Sequence, residues 1–275
     1  MIRKIMTVVF VLILIWVGAS MLRSVVTQKG GSASGKMITG HRGGAGLGLE
    51  NSLDCIAAGM KAGASSIEID VHVTSDGGVV VCHDPTLDRT TEGKGKINDK
   101  TLAQVKATRL LNPDGSVSDQ TVPTLEDVLA VIDGKVELLL EIKRMRGNNK
   151  GIEQAVLEIL KKHDALEYTV IQSFDDSVLE TLHALDPSLR LEKLLFCKFI
   201  GVPVIFDGTF SIFSKEKYSY IRSFNFFNKA LSASLSSWLH DMGYRTRIWT
   251  LDDPASIPQC QLDGIITDRP DLFTK

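Results

Sequence analysis

The chain has 275 residues, of which 44% are hydrophobic and 23% charged, and this is the composition of an ordinary globular protein. Its formal net charge is −2, and its lysines and arginines are spread along the chain. The sequence therefore has no basic block of the kind expected of a nucleic-acid-binding protein. The length allows one large domain or two small ones.

The first 27 residues differ in composition from the rest of the chain. Residues 5–22 carry no charge and follow Arg3 and Lys4. At 1.5 Å per residue, this stretch is about long enough to cross the hydrocarbon core of a bilayer. It also fits a signal peptide, although the apolar part of a signal peptide is usually shorter. We therefore predict a single-pass membrane protein with an N-terminal transmembrane helix over residues 1–27. Residues 28–36, rich in Gly and Ser, are predicted to be a flexible linker.

Short apolar runs alternate with longer amphipathic runs from residue 37 to the end. Repeated strand–helix units indicate a parallel sheet. Eight main strands over roughly 240 residues predict an α/β fold of the (β/α)₈ TIM barrel type. The predicted strands are 37–39, 66–73, 136–142, 169–172, 189–196, 220–227, 245–250 and 264–267, with a short extended return at 79–82. The predicted helices are 52–62, 124–132, 151–162, 175–185 and 231–242.

Residues 85–122 are mostly polar and too long for an ordinary connection between a strand and a helix. We predict that they form a small insertion after the second strand, over one end of a single barrel domain spanning residues 37–275.

Acidic side chains lie inside strands that otherwise have the character of buried ones. Glu68 and Asp70 are two positions apart, so they share one face of their strand. Glu141 and Lys143 repeat this spacing at the end of the third main strand. Because the C-terminal ends of neighbouring barrel strands meet at one rim, where barrel active sites are built, these side chains are expected to converge there.

The same rim is predicted to carry two histidines and an arginine. His41 and Arg42 directly follow the first strand, and His83 follows the second by way of the 79–82 return. Converging carboxylates repel one another unless a cation offsets their charge, and hard divalent cations prefer oxygen ligands. Histidines exchange protons near neutral pH, and Arg42 and Lys143 supply positive charge for an anion. This combination suits phosphoryl transfer.

An ordered set of motifs resembles the glycerophosphodiester phosphodiesterase family. The resemblance is dense over residues 38–143 and moderate over 245–273. The motifs are His41-Arg42-Gly43, Glu50-Asn51-Ser52, "GASSIEIDVHVTSDGGVVVCHDPTLDRTT", Val122-Pro123-Thr124-Leu125, "LEIK", Trp249-Thr250 and "DGIITDRPDLF".

The resemblance implies a (β/α)₈ barrel with a small insertion and one divalent metal ion, usually Ca²⁺ or Mg²⁺, on Glu68, Asp70 and Glu141. It also implies His41 and His83 as the acid/base pair. The implied reaction is hydrolysis of a glycerophosphodiester to glycerol 3-phosphate and an alcohol. Attack by the substrate's own hydroxyl and attack by water both fit the sequence.

Four further residues are predicted to bind substrate, each with an alternative. Arg42 is predicted to hold the phosphate, with a surface ion pair as the alternative. Lys143 has the same prediction, with pairing to Glu141 as its alternative. Trp249 either lines the substrate cleft or packs inside the barrel. Glu50 either ties the first loop to the metal ligands or helps to start the helix after it.

Two other functions remain open at this point. A membrane anchor would hold the site near lipid, which favours a lysophospholipase D acting on membrane lysophospholipids. A catalytically inactive barrel that binds a membrane partner is the non-enzyme alternative, but every catalytic position is filled.

Overall fold

The computed structural model describes residues 29–144, 151–199 and 201–274. Eight parallel strands, here β1 to β8, form a closed barrel in which β1 pairs with both β2 and β8. The predicted (β/α)₈ barrel is therefore confirmed. The strands are β1 (Met37–Gly40), β2 (Ser66–Val73), β3 (Glu137–Ile142), β4 (Thr169–Ser173), β5 (Leu191–Leu195), β6 (Ile221–Phe227), β7 (Arg245–Trp249) and β8 (Gly264–Thr267).

Most of the helices follow barrel strands and cover the outside of the barrel. They begin at polar caps of the kind that accept hydrogen bonds from the first turn, such as Ser52, Thr124 and Asp175. The described α-helices are α1 (Leu53–Lys61), α2 (Leu102–Lys106), α3 (Leu125–Ile132), α4 (Ile152–Lys162), α5 (Asp176–Leu185) and α6 (Ala233–Asp241).

The main hydrophobic core lies between the barrel and its helices. On β2, Ile67, Ile69 and Val71 belong to this core, whereas the alternate side chains Glu68 and Asp70 face the barrel interior. The interior is strongly polar, with buried hydrogen bonds joining β4, β5, β6 and β7. The strand period of two therefore explains how a fully buried strand carries two acids.

Residues 85–122 contain α2 and a pair of antiparallel strands, Arg109–Leu111 and Val117–Thr121. Together with the short strand Val79–Val81, which pairs antiparallel with β2, they enclose a small apolar cluster that includes Val80, Leu87 and Ile97. This segment packs beside the end of the barrel at which β2 finishes.

The connection between β5 and β6 differs from the others. Among its described residues it forms three short antiparallel strands where the barrel pattern would place a helix. We call this unit the β5–β6 sheet; its strands are Cys197–Lys198, Val204–Phe206 and Phe210–Ile212.

The prediction of a single-pass membrane protein is corrected by the structure. None of the helices among the described residues is both long and apolar enough to cross a bilayer. The longest described α-helix has 11 residues, which is about 16 Å at 1.5 Å per residue, and bilayer cores are about 30 Å thick. The apolar residues 5–22, whose hydropathy was the basis of that prediction, lie outside the described residues. Within the predicted linker, Gly30 and Gly31 donate backbone hydrogen bonds to Ile257.

Candidate active site

Three buried carboxylates meet inside the barrel at the C-terminal end of β2 and β3. Asp70 pairs in register with Glu141, and Glu68 precedes Asp70 by two positions on the same face. One oxygen of each carboxylate lies within 4.8 Å of an oxygen of the other two. The strand register and the strand period together produce this acid cluster, defined as Glu68, Asp70 and Glu141.

Burial and neighbouring charges shift the pKa values of all three acids in the cluster. Burial and the neighbouring Asp70 carboxylate raise the pKa of Glu68 to about 8. Burial also raises the pKa of Glu141, against the opposing effect of Lys143. Burial would raise the pKa of Asp70 as well, but the nearby cations, Lys143 first among them, outweigh burial and lower it.

Lys143 partly offsets this charge. Its Nζ lies 3.0 Å from Oδ1 of Asp70 and 2.8 Å from Oε1 of Glu141. Burial would lower the pKa of Lys143, but the two carboxylates outweigh burial and raise it. One ammonium therefore faces three acids.

The acid cluster fits a hard divalent cation. Oε1 of Glu68 is buried and has no hydrogen-bond partner among the described residues. In the described part of the chain, this is the one group of three acidic, His or Cys side chains close enough to share an ion. Ca²⁺ and Mg²⁺ prefer such carboxylate oxygens, and an unpaired buried carboxylate oxygen is costly unless it gains a ligand.

Hydrogen bonds join the loop after β1 to the acid cluster. The backbone N–H of Arg42, a residue in the left-handed region (φ 52°), donates to Oε2 of Glu68 at 2.8 Å. The Arg42 side chain donates to Glu50 Oε1 at 3.1 Å, and its Nε lies 3.8 Å from Oδ2 of Asp70. Asn51 donates its amide to the same Asp70 oxygen at 2.9 Å. Arg42 and Asn51 therefore connect the first loop to the acid cluster, and Glu50 holds the Arg42 side chain.

Two histidines line one cavity above the acid cluster. Nδ1 of His41 lies 2.7 Å from Oδ1 of Asp268, and Nδ1 of His83 lies 2.7 Å from Oδ1 of Asp84. Each ring is thus oriented by a carboxylate, and Nε2 is the ring nitrogen left for a proton exchange with substrate.

The two histidines differ in their electrostatic surroundings. Burial would lower the pKa of His41, but the hydrogen bond to Asp268 and the charge of Glu68 outweigh burial and raise it. Burial, together with the charges of Lys143 and Arg42, lowers the pKa of His83. The cavity therefore presents one imidazole that favours its protonated form and one that favours its neutral form.

The cavity, of about 260 Å³, has a charged wall and an aromatic wall. Trp249 lines it and also donates its Nε1–H to the backbone of Asn225 at 3.0 Å, so it contacts both the cleft and the barrel interior. The lining residues are His41, Arg42, Glu68, His83, Glu141, Lys143, Gln172, Phe174, Leu194, Phe196, Trp249, Thr250 and Ile266.

Sequence reasoning missed three side chains that hold the catalytic candidates: Asp84, which contacts His83, and two that come from elsewhere in the chain, Asp268 and Arg89. Asp268, next to His41, follows the last barrel strand within "DGIITDRPDLF", so its place at a strand end was a usable signal. Arg89, in the insertion, donates to both Glu50 and Asp84, and no local pattern in the sequence indicates this bridge.

A closed parallel barrel with acids, histidines and cations around one rim cavity defines an enzyme fold with a site suited to phosphate chemistry. The model of the glycerophosphoryl diester phosphodiesterase family matches residues 41–272. A glycerophosphodiester phosphodiesterase of Caldanaerobacter subterraneus is 30% identical over 242 residues, covering 86% of this chain and 96% of that protein. A glycerophosphodiester phosphodiesterase of Bacillus subtilis is 28% identical over 290 residues, covering 96% and 97%.

Solved structures have the same fold. The glycerophosphodiester phosphodiesterase of Thermotoga maritima matches with a TM-score of 0.67 and 27% identity, covering 86% of this chain and 96% of that one. An Oleispira antarctica phosphodiesterase, solved in complex with the product sn-glycerol-3-phosphate, matches with a TM-score of 0.71 and 24% identity, covering 88% and 98%.

The chain belongs to the glycerophosphoryl diester phosphodiesterase family. It is a phosphodiester hydrolase with the family's activity on glycerophosphodiesters, which sets aside the alternative of a non-enzyme barrel.

Proposed function

We propose that the chain hydrolyses glycerophosphodiesters to glycerol 3-phosphate and an alcohol in a reaction that depends on a divalent metal ion and on His41 and His83. The observation that carries this proposal is the convergence of the acid cluster and both imidazoles at one cavity. Acid–base catalysis requires groups within reach of one substrate, and the shared cavity supplies that arrangement.

Glu68, Asp70 and Glu141 would hold one Ca²⁺ or Mg²⁺ ion. When bound, the ion would supply positive charge that stabilises the additional negative charge of the transition state. The unpaired Glu68 oxygen and the excess of acids over ammonium groups support this assignment.

Arg42 and Lys143 would bind the non-bridging oxygens of the phosphate. Both side chains line the cavity, and a guanidinium is suited to paired hydrogen bonds with phosphate. Glu50 accepts a hydrogen bond from Arg42, so its role would be to orient that guanidinium. Trp249, on the aromatic wall, would contact the organic part of the substrate.

The surroundings of the two histidines favour a division of roles. His83, whose pKa is lowered, would take the proton from the attacking oxygen. His41, whose pKa is raised, would give a proton to the departing alcohol oxygen. If a neighbouring substrate hydroxyl attacks first, these roles apply to the step that forms the cyclic phosphodiester. They reverse in the second step, in which water opens the cyclic phosphodiester.

A metal-by-substrate activity matrix tests the proposal. Full-length protein is assayed with glycerophosphocholine and glycerophosphoethanolamine in Ca²⁺, in Mg²⁺ and in chelator, and glycerol 3-phosphate is quantified. We expect release with at least one metal and none in chelator. His41→Ala and Glu68→Ala should each lose at least about 100-fold in kcat. His163→Ala, at the C-terminal end of α4 and outside the residues that line the cavity, is the control.

Absence of glycerol 3-phosphate with every metal and substrate would contradict the proposal. Full activity in chelator would contradict its metal dependence, and unchanged activity in His41→Ala would contradict its acid–base assignment. Transient accumulation of a cyclic phosphodiester would distinguish attack by the substrate hydroxyl from attack by water.

A further inference from the structure

A chain of buried hydrogen bonds leads through the barrel interior to the cavity. Arg247 on β7 donates from Nη2 to Oε1 of Glu192 on β5 at 2.9 Å. Nδ2 of Asn225 on β6 donates to Oε2 of the same carboxylate at 2.8 Å and to Oε1 of Gln172 on β4 at 2.9 Å. None of these four side chains is more than 5% exposed. Of the four, Gln172 alone lines the cavity.

Glu192 sets the direction of these hydrogen bonds. A carboxylate paired with a guanidinium only accepts hydrogen bonds, so the atom of Asn225 that faces Glu192 must be the donor Nδ2. The same nitrogen faces Gln172, so the atom that Gln172 turns toward Asn225 must be the acceptor Oε1. Ser223 is compatible with this order, because a hydroxyl can donate or accept, and here it donates to Oδ1 of Asn225 at 2.9 Å. The buried ion pair therefore decides which end of the Gln172 amide faces the cavity.

Gln172 consequently presents an NH₂ group to the cavity. Its Nε2 makes no hydrogen bond to another residue in the part of the chain that the structure describes. Gln172 pairs in register with Glu141 on β3, so this donor lies beside the acid cluster. A donor in the wall of a cavity is available to an acceptor oxygen of a ligand, and a hydrogen bond of this kind contributes to affinity.

We propose that Glu192 and Asn225 position Gln172 so that its Nε2 donates a hydrogen bond to an oxygen of the bound substrate. Neither Glu192 nor Asn225 lines the cavity, so both act through Gln172 and are positioning residues. The proposal rests on the proposed function, because the substrate must lie in this cavity. The order of donors and acceptors inside the barrel thereby helps to determine how tightly the cavity binds substrate.

Glu192→Gln tests this order without changing a residue of the cavity wall. The oxygen of the new amide stays with Arg247, which only donates, so its NH₂ group faces Asn225. Asn225 then presents Oδ1 in place of Nδ2, and Gln172 turns its own NH₂ toward Asn225 and its oxygen toward the cavity. Calorimetry on full-length protein with saturating Ca²⁺ or Mg²⁺ measures binding of sn-glycerol 3-phosphate. We expect binding at least about tenfold weaker than in the wild type, because a hydrogen bond is lost and an oxygen faces the ligand instead.

Glu137→Gln is the matched control. Glu137 is a second carboxylate that accepts from Nη2 of Arg247, at 3.0 Å, but it makes no hydrogen bond to Asn225. Both variants therefore remove one charge from the same group of ion pairs, and only Glu192→Gln reverses the order of donors and acceptors. The affinity of Glu137→Gln for sn-glycerol 3-phosphate should match that of the wild type. The proposal is overturned if the two variants weaken binding equally.

A double-mutant cycle separates positioning from a general structural effect. Gln172→Met removes the donor, so it should also weaken binding of sn-glycerol 3-phosphate. When Glu192→Gln is added to Gln172→Met, no further loss is expected, because the two substitutions act through the same hydrogen bond. An undiminished effect of Glu192→Gln in the Gln172→Met protein would overturn the proposal.

A measurement on the wild type leaves the buried ion pair unchanged. In isotope-labelled protein, the side-chain NH₂ signals of Gln172 in NMR spectra are identified by their absence in Gln172→Met. They should shift when sn-glycerol 3-phosphate is added, and those of Asn225 should shift less, because its nitrogen already has two acceptors. Unchanged Gln172 signals at saturating ligand would overturn the proposal.

Binding and turnover distinguish this proposal from the proposed function. Hydrolysis of glycerophosphodiesters combined with wild-type affinity for sn-glycerol 3-phosphate in Glu192→Gln would reject this proposal alone. Affinity that depends on Glu192 and Gln172 as described, without any hydrolysis of glycerophosphodiesters, would reject the proposed function alone.

Discussion

Asp268 and His41 face each other across the junction at which the barrel closes, with Oδ1 of the acid 2.7 Å from Nδ1 of the imidazole. His41 follows β1 and Asp268 follows β8, and these two strands pair in register from Met37 with Gly264 onward. The contact therefore depends on the barrel being closed. It orients the ring and contributes to the raised pKa of His41.

Asp268→Asn should lower the pKa of His41, because the amide keeps a hydrogen-bonding oxygen but removes the negative charge. If protonated His41 is the acid, the alkaline limb of the kcat profile should move to lower pH by about one unit. kcat should therefore fall more at pH 8 than at pH 6. Asp271→Asn, three residues later and paired with Arg269, is the control. Parallel losses of kcat at both pH values would contradict the role given to Asp268.

The pKa of Glu68, about 8, predicts how the stability of the metal-free protein depends on pH. A carboxyl whose pKa is raised by folding holds its proton more tightly in the folded state than in the unfolded state. Its stabilising contribution is therefore complete below the unfolded pKa of about 4.3 and is lost as pH rises through about 8. In chelator, the free energy of unfolding should fall between about pH 5 and pH 8.

Urea titrations at several pH values measure this effect. Glu68→Gln should flatten the pH dependence, and Glu158→Gln, on an exposed part of α4, should not. In the wild type, Ca²⁺ or Mg²⁺ should bind more tightly at pH 8 than at pH 6, since binding must displace the Glu68 proton. A metal affinity that is constant over this range would contradict the proposed ligand.

Lys143 and Lys161 form ion pairs of very different expected strength. Lys143→Met removes the ammonium that lies 3.0 Å from the fully buried Asp70. We expect a loss of about 3–5 kcal/mol in the free energy of unfolding in chelator, because a buried charge loses its partner. Saturating divalent cation should reduce that loss.

Lys161→Met is the matched control, since Lys161 is 51% exposed and lies 3.4 Å from Asp186. Surface pairs of this kind contribute about 0–1 kcal/mol. Chemical denaturation of both variants, with and without metal, checks the comparison. Equal losses in the two variants would show that Lys143 does not hold the acid cluster together.

The barrel strands and helices could be predicted from the periodicity of apolar residues over short stretches of the sequence. The period of two in residues 66–73 predicted β2 with its observed bounds, and the same period placed Glu68 and Asp70 on one face. The β5–β6 sheet was not predicted, because strands of two or three residues, such as Val204–Phe206, contain too few positions for a periodic signal.

The acid cluster was predictable for a related reason. Its members lie on adjacent strands, so knowing which strands are neighbours is enough to bring Asp70 beside Glu141. Contacts that join distant elements could not be derived in this way. The contact of His41 with Asp268 requires barrel closure, and that of Arg89 with Glu50 requires the fold of the insertion.

Arg89 is predicted to position His83 without contacting substrate. Its guanidinium donates to both oxygens of Glu50 at 2.7 and 2.8 Å and to Oδ2 of Asp84 at 2.7 Å, and Asp84 in turn contacts His83. The insertion thereby connects the loop after β1 to the loop that carries His83. Bidentate pairs of this kind fix the relative orientation of the two side chains in addition to stabilising their charges.

Arg89→Met should therefore lower kcat by about tenfold with little change in KM, since displacement of a catalytic group by about 1 Å has effects of this order or larger. Arg89→Lys should restore only part of the loss, because an ammonium cannot reproduce the planar fork. Arg109→Met, also in the insertion, breaks a comparable pair with Glu92 and is the control. Steady-state kinetics with glycerophosphocholine measures the difference. Equal kcat values for the Arg89 and Arg109 methionine variants would mean that the bridge through Asp84 does not position His83.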